Sequence, residues 1–225
     1  LVEKPITANV RGGEELVKLA RQTNGRILVG HHRAHSPLLA KAREIIDSGR
    51  LGRLVSIMGS AQFYKPASYF DAGPWRMQPG GGPILINLIH EIGNLRSLCG
   101  EIMEVQAFSS SMIREFVVED TVSINLRFIN GALGNFMLSD TAACARSWEQ
   151  TSRENPVYPT YPDEDCYVIA GTLGTLSVPT FRLKCAPEGA EPSWWEPLVQ
   201  ETLDIPRREP LACQLENFVQ VIKGE

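Results

Sequence analysis

The chain has 225 residues, of which 43% are hydrophobic and 21% are charged, and its formal net charge is −4. This balance is typical of globular proteins and excludes the strongly basic surface that nucleic-acid binding requires. No apolar run reaches the roughly 18 residues that a membrane span needs, and Glu3, Lys4 and Pro5 interrupt the start of the chain where a signal peptide would be apolar.

The first fifty residues alternate between strand and helix patterns. A short strand ends at Pro5, and the amphipathic helix EELVKLARQT follows two glycines. The apolar strand GRILVG then leads to a second helix that begins at Pro37 and ends at Gly49. Alternating strands and helices form parallel α/β layers, so residues 1–52 are predicted to be the end of a doubly wound domain.

Residues 53–225 show a different pattern, in which strand-like runs dominate. Asn130 and Gly131 separate two of these runs, and this dipeptide is a strong signal for a tight hairpin. The polar, proline-rich stretch 147–166 is long for a loop, and loops of this length are often functional. We predict an α/β (α+β) protein whose second domain is an open-faced, mostly antiparallel sheet with helices on one face.

A sheet with helices on only one face leaves its other face exposed. Exposed apolar faces usually mark protein interfaces, so we expect a homodimer or homotetramer that forms through this face. The five scattered cysteines lack the close spacing of zinc or redox motifs, and we interpret them as reduced thiols of a cytoplasmic protein. Leu1 reads as the middle of a strand, so we expect the chain to be part of a longer one.

Three glycines at 80–82 precede Pro83 and an apolar helix. Such a run either forms a surface turn or lets a ligand approach the backbone closely, and the helix start offers free N–H groups to a small polar ligand. His90 lies on this helix, and the spacing of Asn87 and Asn94 places all three side chains on one face. The pattern fits both a core histidine bonded to a carbonyl and a general base that lines a cavity.

The other polar candidates near the N-terminus also have two interpretations. Lys4 follows a strand, so its ammonium points either to the ligand crevice at the carboxyl ends of the strands or to the surface. In GHHRAHSP, alternation along a strand places His31 and His32 on opposite faces. No metal site is therefore predicted, and we expect this segment to form hydrogen bonds to a polyol or to a partner loop.

Trp75 and Arg76 stand directly before the glycine run. An indole and a guanidinium at this position suit stacking on a substrate and pairing with it. Core packing and a surface salt bridge would use the same residues, and the sequence does not separate the two interpretations.

Taken together, the motifs of this chain resemble the Gfo/Idh/MocA oxidoreductases. The motifs are EKP after a strand, GHHRxHxP at a strand-to-helix junction, WR before GGG, and the histidine helix that follows. The resemblance covers essentially the whole chain. It implies that residues 1–52 are the C-terminal part of a dinucleotide-binding Rossmann domain whose glycine fingerprint precedes Leu1, and that residues 53–225 are a substrate-binding and oligomerisation domain.

The resemblance also implies roles for single residues. The lysine of the EKP motif matches Lys4, which with Glu3 and Pro5 would contact NAD or NADP, and the histidine of the glycine-run helix matches His90, the general base. The substrate would be a sugar, a polyol or a related hydroxy compound. The residues expected to contact it are Asn87, His32, Arg33, Trp75 and Arg76.

Two positions depart from the family pattern. Ile86 stands four residues before His90, where an aspartate is often found, and Gly93 replaces an acidic residue that often follows the histidine. Either Asn87 substitutes for the aspartate in a subfamily with shifted chemistry, or activity is altered or lost. The sequence is therefore consistent with a nicotinamide-dependent dehydrogenase and also with a non-catalytic sugar-binding or regulatory relative.

Overall fold

The computed structural model describes residues 1–7 and 9–224. Its helices are α1 Val10–Thr23, α2 Pro37–Asp47, α3 Ala67–Asp71, α4 Ile89–Cys99, α5 Trp148–Thr151 and α6 Pro210–Lys223. Its strands are β1 Leu54–Tyr64, β2 Ile102–Ser110, β3 Thr121–Phe128, β4 Leu133–Ser139, β5 Thr141–Arg146, β6 Tyr167–Gly171, β7 Gly174–Val178, β8 Arg182–Cys185 and β9 Val199–Thr202. Short 3-10 turns lie at His32–His35 and Pro74–Met77, and a π-helical turn at Ile84–Leu88 precedes α4.

The two helices predicted in the first fifty residues are present. α2 begins at Pro37 behind the capping hydroxyl of Ser36 and is followed by Gly49 at φ +79°, as its local signals predicted. α1 begins at Val10, earlier than predicted, because the side chain of Asn9 caps its first turn and draws the two glycines into the helix.

The strand pair predicted for this region is reduced to one parallel bridge between Val2 and Val29. The Gly30 N–H donates to the Val2 carbonyl at 2.7 Å. This contact brings the segment around Lys4 beside the segment that begins at His31.

Within the described residues, nine strands form one mixed sheet. Its order is β2-β3-β4-β1-β6-β7-β8-β9, and β5 also pairs with β1. β1 and β4 are parallel, and the other strand pairs are antiparallel. Asn130 and Gly131, the latter at φ +88°, form the predicted hairpin between β3 and β4.

Helices cover one face of this sheet. Leu38 of α2 and Leu95 of α4 belong to one buried cluster with Ile57 and Phe136 of the sheet. Gly59 makes room for the Phe136 ring, since a Cβ at residue 59 would lie 2.4 Å from that ring. The core therefore lies between α2, α4 and the inner sides of β1 and β4.

The other face of the sheet is open. Met58, Phe108, Leu133 and Met137 are exposed there among polar side chains. The prediction of an open-faced, mostly antiparallel sheet with helices on one face is thus confirmed. The apolar stripe of α6 is also exposed within the described residues.

Candidate active site

The tip of the first extended segment meets the helix that carries His90. The Lys4 ammonium donates a hydrogen bond to the Ile86 carbonyl at 2.7 Å, although the two residues are 82 positions apart in the chain. Burial lowers the pKa of Lys4, the nearby Glu3 carboxylate raises it, and Arg33 lowers it. Lys4 is therefore a half-buried cation that is fixed against the start of the histidine helix.

The π-helical turn at 84–88 changes how the polar residues of this helix are arranged. A π turn contains more residues than an α turn, so side chains on either side of it lose the spacing that would place them on one face. Asn87 faces Lys65, whereas Asn94 on α4 donates to the hydroxyl of the buried Tyr167 at 2.9 Å. Asn87 and Asn94 thus bond to different parts of the protein, while His90 and Asn94 remain four residues apart on α4, the spacing of one helix face.

His90 lies among other imidazoles in a nearly closed environment. His90 is only 7% exposed. Its ring packs edge-on against the rings of His32 and His31, with centroid distances of 4.8 Å and 5.8 Å. The Nδ1 atom is buried and has no hydrogen-bond partner among the described residues. Because His32–His35 is a 3-10 turn and not a strand, both rings reach His90, and the prediction of opposite faces was wrong.

The surroundings of His90 hold its imidazole neutral. Burial lowers its pKa to about 2, and the positive charges of Arg33 and Lys4 contribute in the same direction. A neutral imidazole can accept a proton, so His90 is in the protonation state that a proton acceptor requires.

We expect His90 to make the fold less stable in mild acid. Its pKa is about 2 in the folded protein and 6.5 as the reference value, so the unfolded chain binds the proton first as the pH falls below 6.5. At pH 5 this difference should have removed about 2 kcal/mol of the free energy of unfolding relative to pH 7.5. Urea unfolding of the native protein and of His90→Asn at both pH values measures this loss of stability. An equal loss in the two proteins would mean that His90 is not its cause.

A cavity of about 450 Å³ lies beside the π turn, at the end of β1. Side chains of β1, α3, α5 and the long polar loop line it together with Ile86 and Asn87. Ile86, whose carbonyl accepts from Lys4, belongs to this lining, whereas Lys4 and His90 themselves do not. The loop at 147–166, which was singled out for its length, contributes Gln150 and Tyr158 to the wall.

Lys65 and Glu149 are charged side chains of this cavity that the sequence interpretation missed. The Lys65 ammonium donates to the Asn87 amide oxygen at 2.7 Å and lies 3.6 Å from Asp140. Lys65 follows a strand and precedes Pro66, which is the same local arrangement as Lys4 before Pro5. That repeated lysine–proline pattern was the signal that could have identified it.

Arg33 is not free to contact a substrate, contrary to what the resemblance implied. Its guanidinium is buried and donates to the carboxylates of Glu91 and Glu149. Glu91 is fully buried and also accepts from the Tyr167 hydroxyl. Arg33 therefore fixes α4 and the start of the long loop relative to the histidine turn, which makes it a positioning residue.

Trp75 and Arg76 lie outside the cavity lining. Arg76 donates to the Tyr69 carbonyl and stacks over the Tyr69 ring at 3.9 Å, while Trp75 is exposed. A Cβ at Gly81 would lie 2.5 Å from the Arg76 carbonyl, so one function of the glycine run is this close backbone contact. Of the two interpretations given for Trp75 and Arg76, packing within the protein is the one that applies to Arg76.

The start of the histidine helix already has an internal partner. The Glu119 carboxylate accepts from the Ile84 N–H at 2.9 Å. Gly82, at φ +79°, is required here because a Cβ would lie 2.6 Å from a Glu119 oxygen. Glu119 thus takes one of the N–H groups that the sequence analysis offered to a small polar ligand.

Glu3, Lys4 and Pro5 form one edge of an open surface. A Cβ on Gly30 would lie 3.2 Å from the Glu3 carboxylate, so the two segments touch at a residue without a side chain. The chain has no glycine fingerprint that would hold the pyrophosphate of a dinucleotide.

Residues 1–7 and 9–224 contain neither a metal site nor a membrane span. No group of three or more histidine, cysteine, aspartate or glutamate side chains in that part of the chain is arranged to hold a metal ion. No helix there is long and apolar enough to cross a membrane.

Comparison with known sequences gives a family match and several distant relatives. The family described as GFO/IDH/MocA C-terminal domain matches residues 39–177. The chain is 27% identical to 1-carboxy-3-chloro-3,4-dihydroxycyclo hexa-1,5-diene dehydrogenase of Comamonas testosteroni, over 63% of this chain and 36% of that protein. It is 28% identical to 1,5-anhydro-D-fructose reductase of Ensifer adhaerens, over 60% of this chain and 41% of that protein. The chain thus spans less than half the length of these two relatives.

Solved structures show the same fold. The WlbA dehydrogenase from Bordetella pertussis, in complex with NADH and UDP-GlcNAcA, aligns with a TM-score of 0.69 and 21% sequence identity. The alignment covers 99% of this chain and 60% of that one. The likeness therefore extends over both parts of the present chain.

Proposed function

Because the chain belongs to the GFO/IDH/MocA family, we propose that the full-length protein is an NAD(P)-dependent oxidoreductase. It transfers a hydride between a nicotinamide and a carbon of a sugar, polyol or related hydroxy compound. Residues 1–52 are the end of its cofactor domain, and residues 53–225 are its substrate domain. The observation that carries the proposal is the 2.7 Å hydrogen bond from Lys4 to Ile86, which joins the strand-tip ammonium to the helix of His90.

The residues of this chain have separate tasks in that reaction. The nicotinamide, when bound beside Glu3, Lys4 and Pro5, supplies the hydride chemistry. The neutral imidazole of His90 accepts the proton of the substrate hydroxyl, and the Lys4 ammonium stabilises the negative charge that develops on that oxygen. His32 supports His90 through ring contact at 4.8 Å, and Asn87 binds another part of the substrate.

An isoleucine at position 86 does not deprive the Lys4 ammonium of a hydrogen-bond acceptor. The family often has a carboxylate at this position, whereas here the backbone carbonyl of the same residue accepts the Lys4 hydrogen bond. A carbonyl orients the ammonium without neutralising it, so the positive charge stays available to the substrate oxygen. This supports an active enzyme over the alternative of a non-catalytic sugar-binding or regulatory relative.

The proposal is tested by titrating the full-length protein with NADH and with NADPH and following the fluorescence of the reduced nicotinamide. Binding of one of the two is expected, and absence of binding to both would contradict an oxidoreductase. Turnover of a panel of sugars and polyols then separates the two candidates, since a binding relative would hold a sugar without oxidising it.

We further propose that the protein forms homodimers or homotetramers through the open sheet face, in the cytoplasm, where its five free thiols stay reduced. Met58 is central on that face and 60% exposed. Met58→Glu is expected to shift the protein toward monomer in light scattering at micromolar concentration. The matched control is Met112→Glu, which introduces the same charge at an exposed loop residue. A native protein that is already monomeric would refute the interface.

A further inference from the structure

Glu149 has one carboxylate oxygen without a hydrogen-bond partner. The residue belongs to α5, within the long polar loop, and it lines the cavity beside the π turn. Its Oε1 atom accepts from the Arg33 guanidinium, whereas Oε2 is buried and has no donor among the described residues. A buried anionic oxygen without a donor destabilises the folded protein. A hydroxyl that enters the cavity and donates to this oxygen would therefore be bound favourably.

The charge of Glu149 also connects the cavity with the reacting residues. Burial lowers the pKa of Lys65 to about 8, and Asp140 and Glu149 raise it. Burial lowers the pKa of Lys4 as well, and Glu3 and Glu149 raise it. One carboxylate thus acts on both lysines, although only Lys65 lines the cavity. A molecule that is held at Glu149 is therefore close to both ammonium groups.

Lys65 and Glu149 line the same cavity without forming an ion pair. Lys65 lies 3.6 Å from Asp140 and donates to Asn87 at 2.7 Å. Glu149 pairs with Arg33, and among the described residues no salt bridge joins Lys65 to Glu149. An ammonium has three donors, and a hydroxyl both accepts and donates a hydrogen bond. One substrate hydroxyl can therefore satisfy both side chains, whereas a carboxylate would suit Lys65 alone.

We propose that Glu149 is a specificity-determining residue of the substrate site, where it accepts the hydrogen of a substrate hydroxyl whose oxygen accepts from Lys65. The proposal rests on the oxidoreductase function proposed above and names the group by which the substrate is recognised. Arg33 holds the Glu149 carboxylate through its other oxygen, so the acceptor is positioned before the substrate binds. The reacting hydroxyl is a separate one at Lys4 and His90, so the substrate carries at least two hydroxyl groups.

Glu149→Gln removes the proposed acceptor and keeps the shape of the side chain. The amide oxygen can still accept from Arg33, and the NH₂ group then takes the place of Oε2 and can only donate. A substrate with the recognised hydroxyl should bind more weakly to this variant, whereas a derivative without that hydroxyl should bind as it does to the native protein. A general loss of structure would weaken both compounds alike.

The test is calorimetric titration of the full-length protein, without and with the cofactor, with sugars and their deoxy derivatives. The parent compounds are D-glucose, D-galactose, D-xylose and myo-inositol, each compared with its mono-deoxy derivatives. For at least one parent, removal of one particular hydroxyl should weaken binding to the native protein by roughly 100-fold or more, because two hydrogen bonds to charged groups are lost. In Glu149→Gln the loss caused by that removal should be about tenfold smaller or less.

Glu149→Asp is the second variant, in case Glu149→Gln does not fold. Aspartate keeps the charge but is one methylene shorter, so it cannot reach Arg33 and the hydroxyl together, and the same loss should again become smaller. The control is Glu164→Gln, because Glu164 lies in the same loop and pairs with Arg146 outside the cavity lining.

Three results would overturn the proposal: no single hydroxyl that matters for binding to the native protein, an unchanged loss in the Glu149 variants, or no binding of any parent compound. NADH or NADPH binding that persists in such a case would leave the oxidoreductase function standing.

Discussion

Replacing His90 with asparagine in the full-length protein is expected to lower kcat by roughly 10²- to 10⁴-fold, the usual contribution of a positioned general base. Asparagine is polar and smaller than histidine, so the contacts to the His31 and His32 rings are lost but no charge is buried. Because the imidazole is neutral in the native site, the substitution removes a proton acceptor and not a cation. Substrate binding should therefore change much less than turnover.

The measurement is single-turnover reduction of the cofactor at saturating substrate, followed by nicotinamide absorbance. His35→Asn is the matched control, since His35 lies at the end of the same 3-10 turn without a recorded ring contact to His90. Its turnover should stay close to that of the native protein. If His90→Asn retained kcat within about threefold while binding cofactor normally, His90 would not be the base, and Lys4 would be the remaining candidate.

Local signals in the sequence were sufficient for much of the fold. Ser36 and Pro37 at the start of α2 act through their own backbone neighbours, and so does the Asn130–Gly131 turn. Such features depend on a few adjacent residues, and the sequence contains all of the information that they need. The open sheet face was expected from the many strand-like runs and few helices after residue 53, and from the family resemblance.

The arrangement of the site was not predictable in the same way. The π turn at 84–88 adds one residue to a helical turn, and nothing in the apolar pattern of ILINL distinguishes it from an α-helix. The partner of Arg33 lies 58 residues further along the chain, so it is fixed by tertiary packing and not by local preference. Lys65 was missed for the same reason, although its position before a proline repeated that of Lys4.

The π turn and the contact of Lys65 both depend on tertiary packing, and both affect how the side chains around the histidine helix are arranged. The π turn holds Asn87, whose side chain meets Lys65, and α4 begins directly after it with Ile89 and His90. The helical segment 84–99 therefore meets two lysines from other parts of the chain: Lys4 bonds to the Ile86 carbonyl, and Lys65 bonds to the Asn87 side chain. A single polar stripe would have placed binding and reaction on the same few atoms.

The buried pair of Arg33 and Glu91 connects this site to the stability of the domain. Arg33→Met should reduce the free energy of unfolding by about 3–5 kcal/mol, because it leaves the fully buried Glu91 without its cation. Burial already raises the pKa of Glu91, and Arg33 opposes that rise. In the variant Glu91 should therefore take up a proton more readily, and the stability deficit relative to the native protein should shrink as the pH is lowered toward 5.

Urea unfolding followed by tryptophan fluorescence measures this effect, and Trp148 is a buried reporter whose ring lies 5.9 Å from that of Tyr167. In the double variant Arg33→Met with Glu91→Gln no unpaired charge remains at residue 91, so the loss should be smaller than in Arg33→Met alone. Arg11→Met breaks an exposed pair with Glu15 and should change stability by no more than about 0.5 kcal/mol. A double variant no more stable than Arg33→Met would mean that the unpaired Glu91 charge does not cause the loss, and that packing of the guanidinium holds α4 in place.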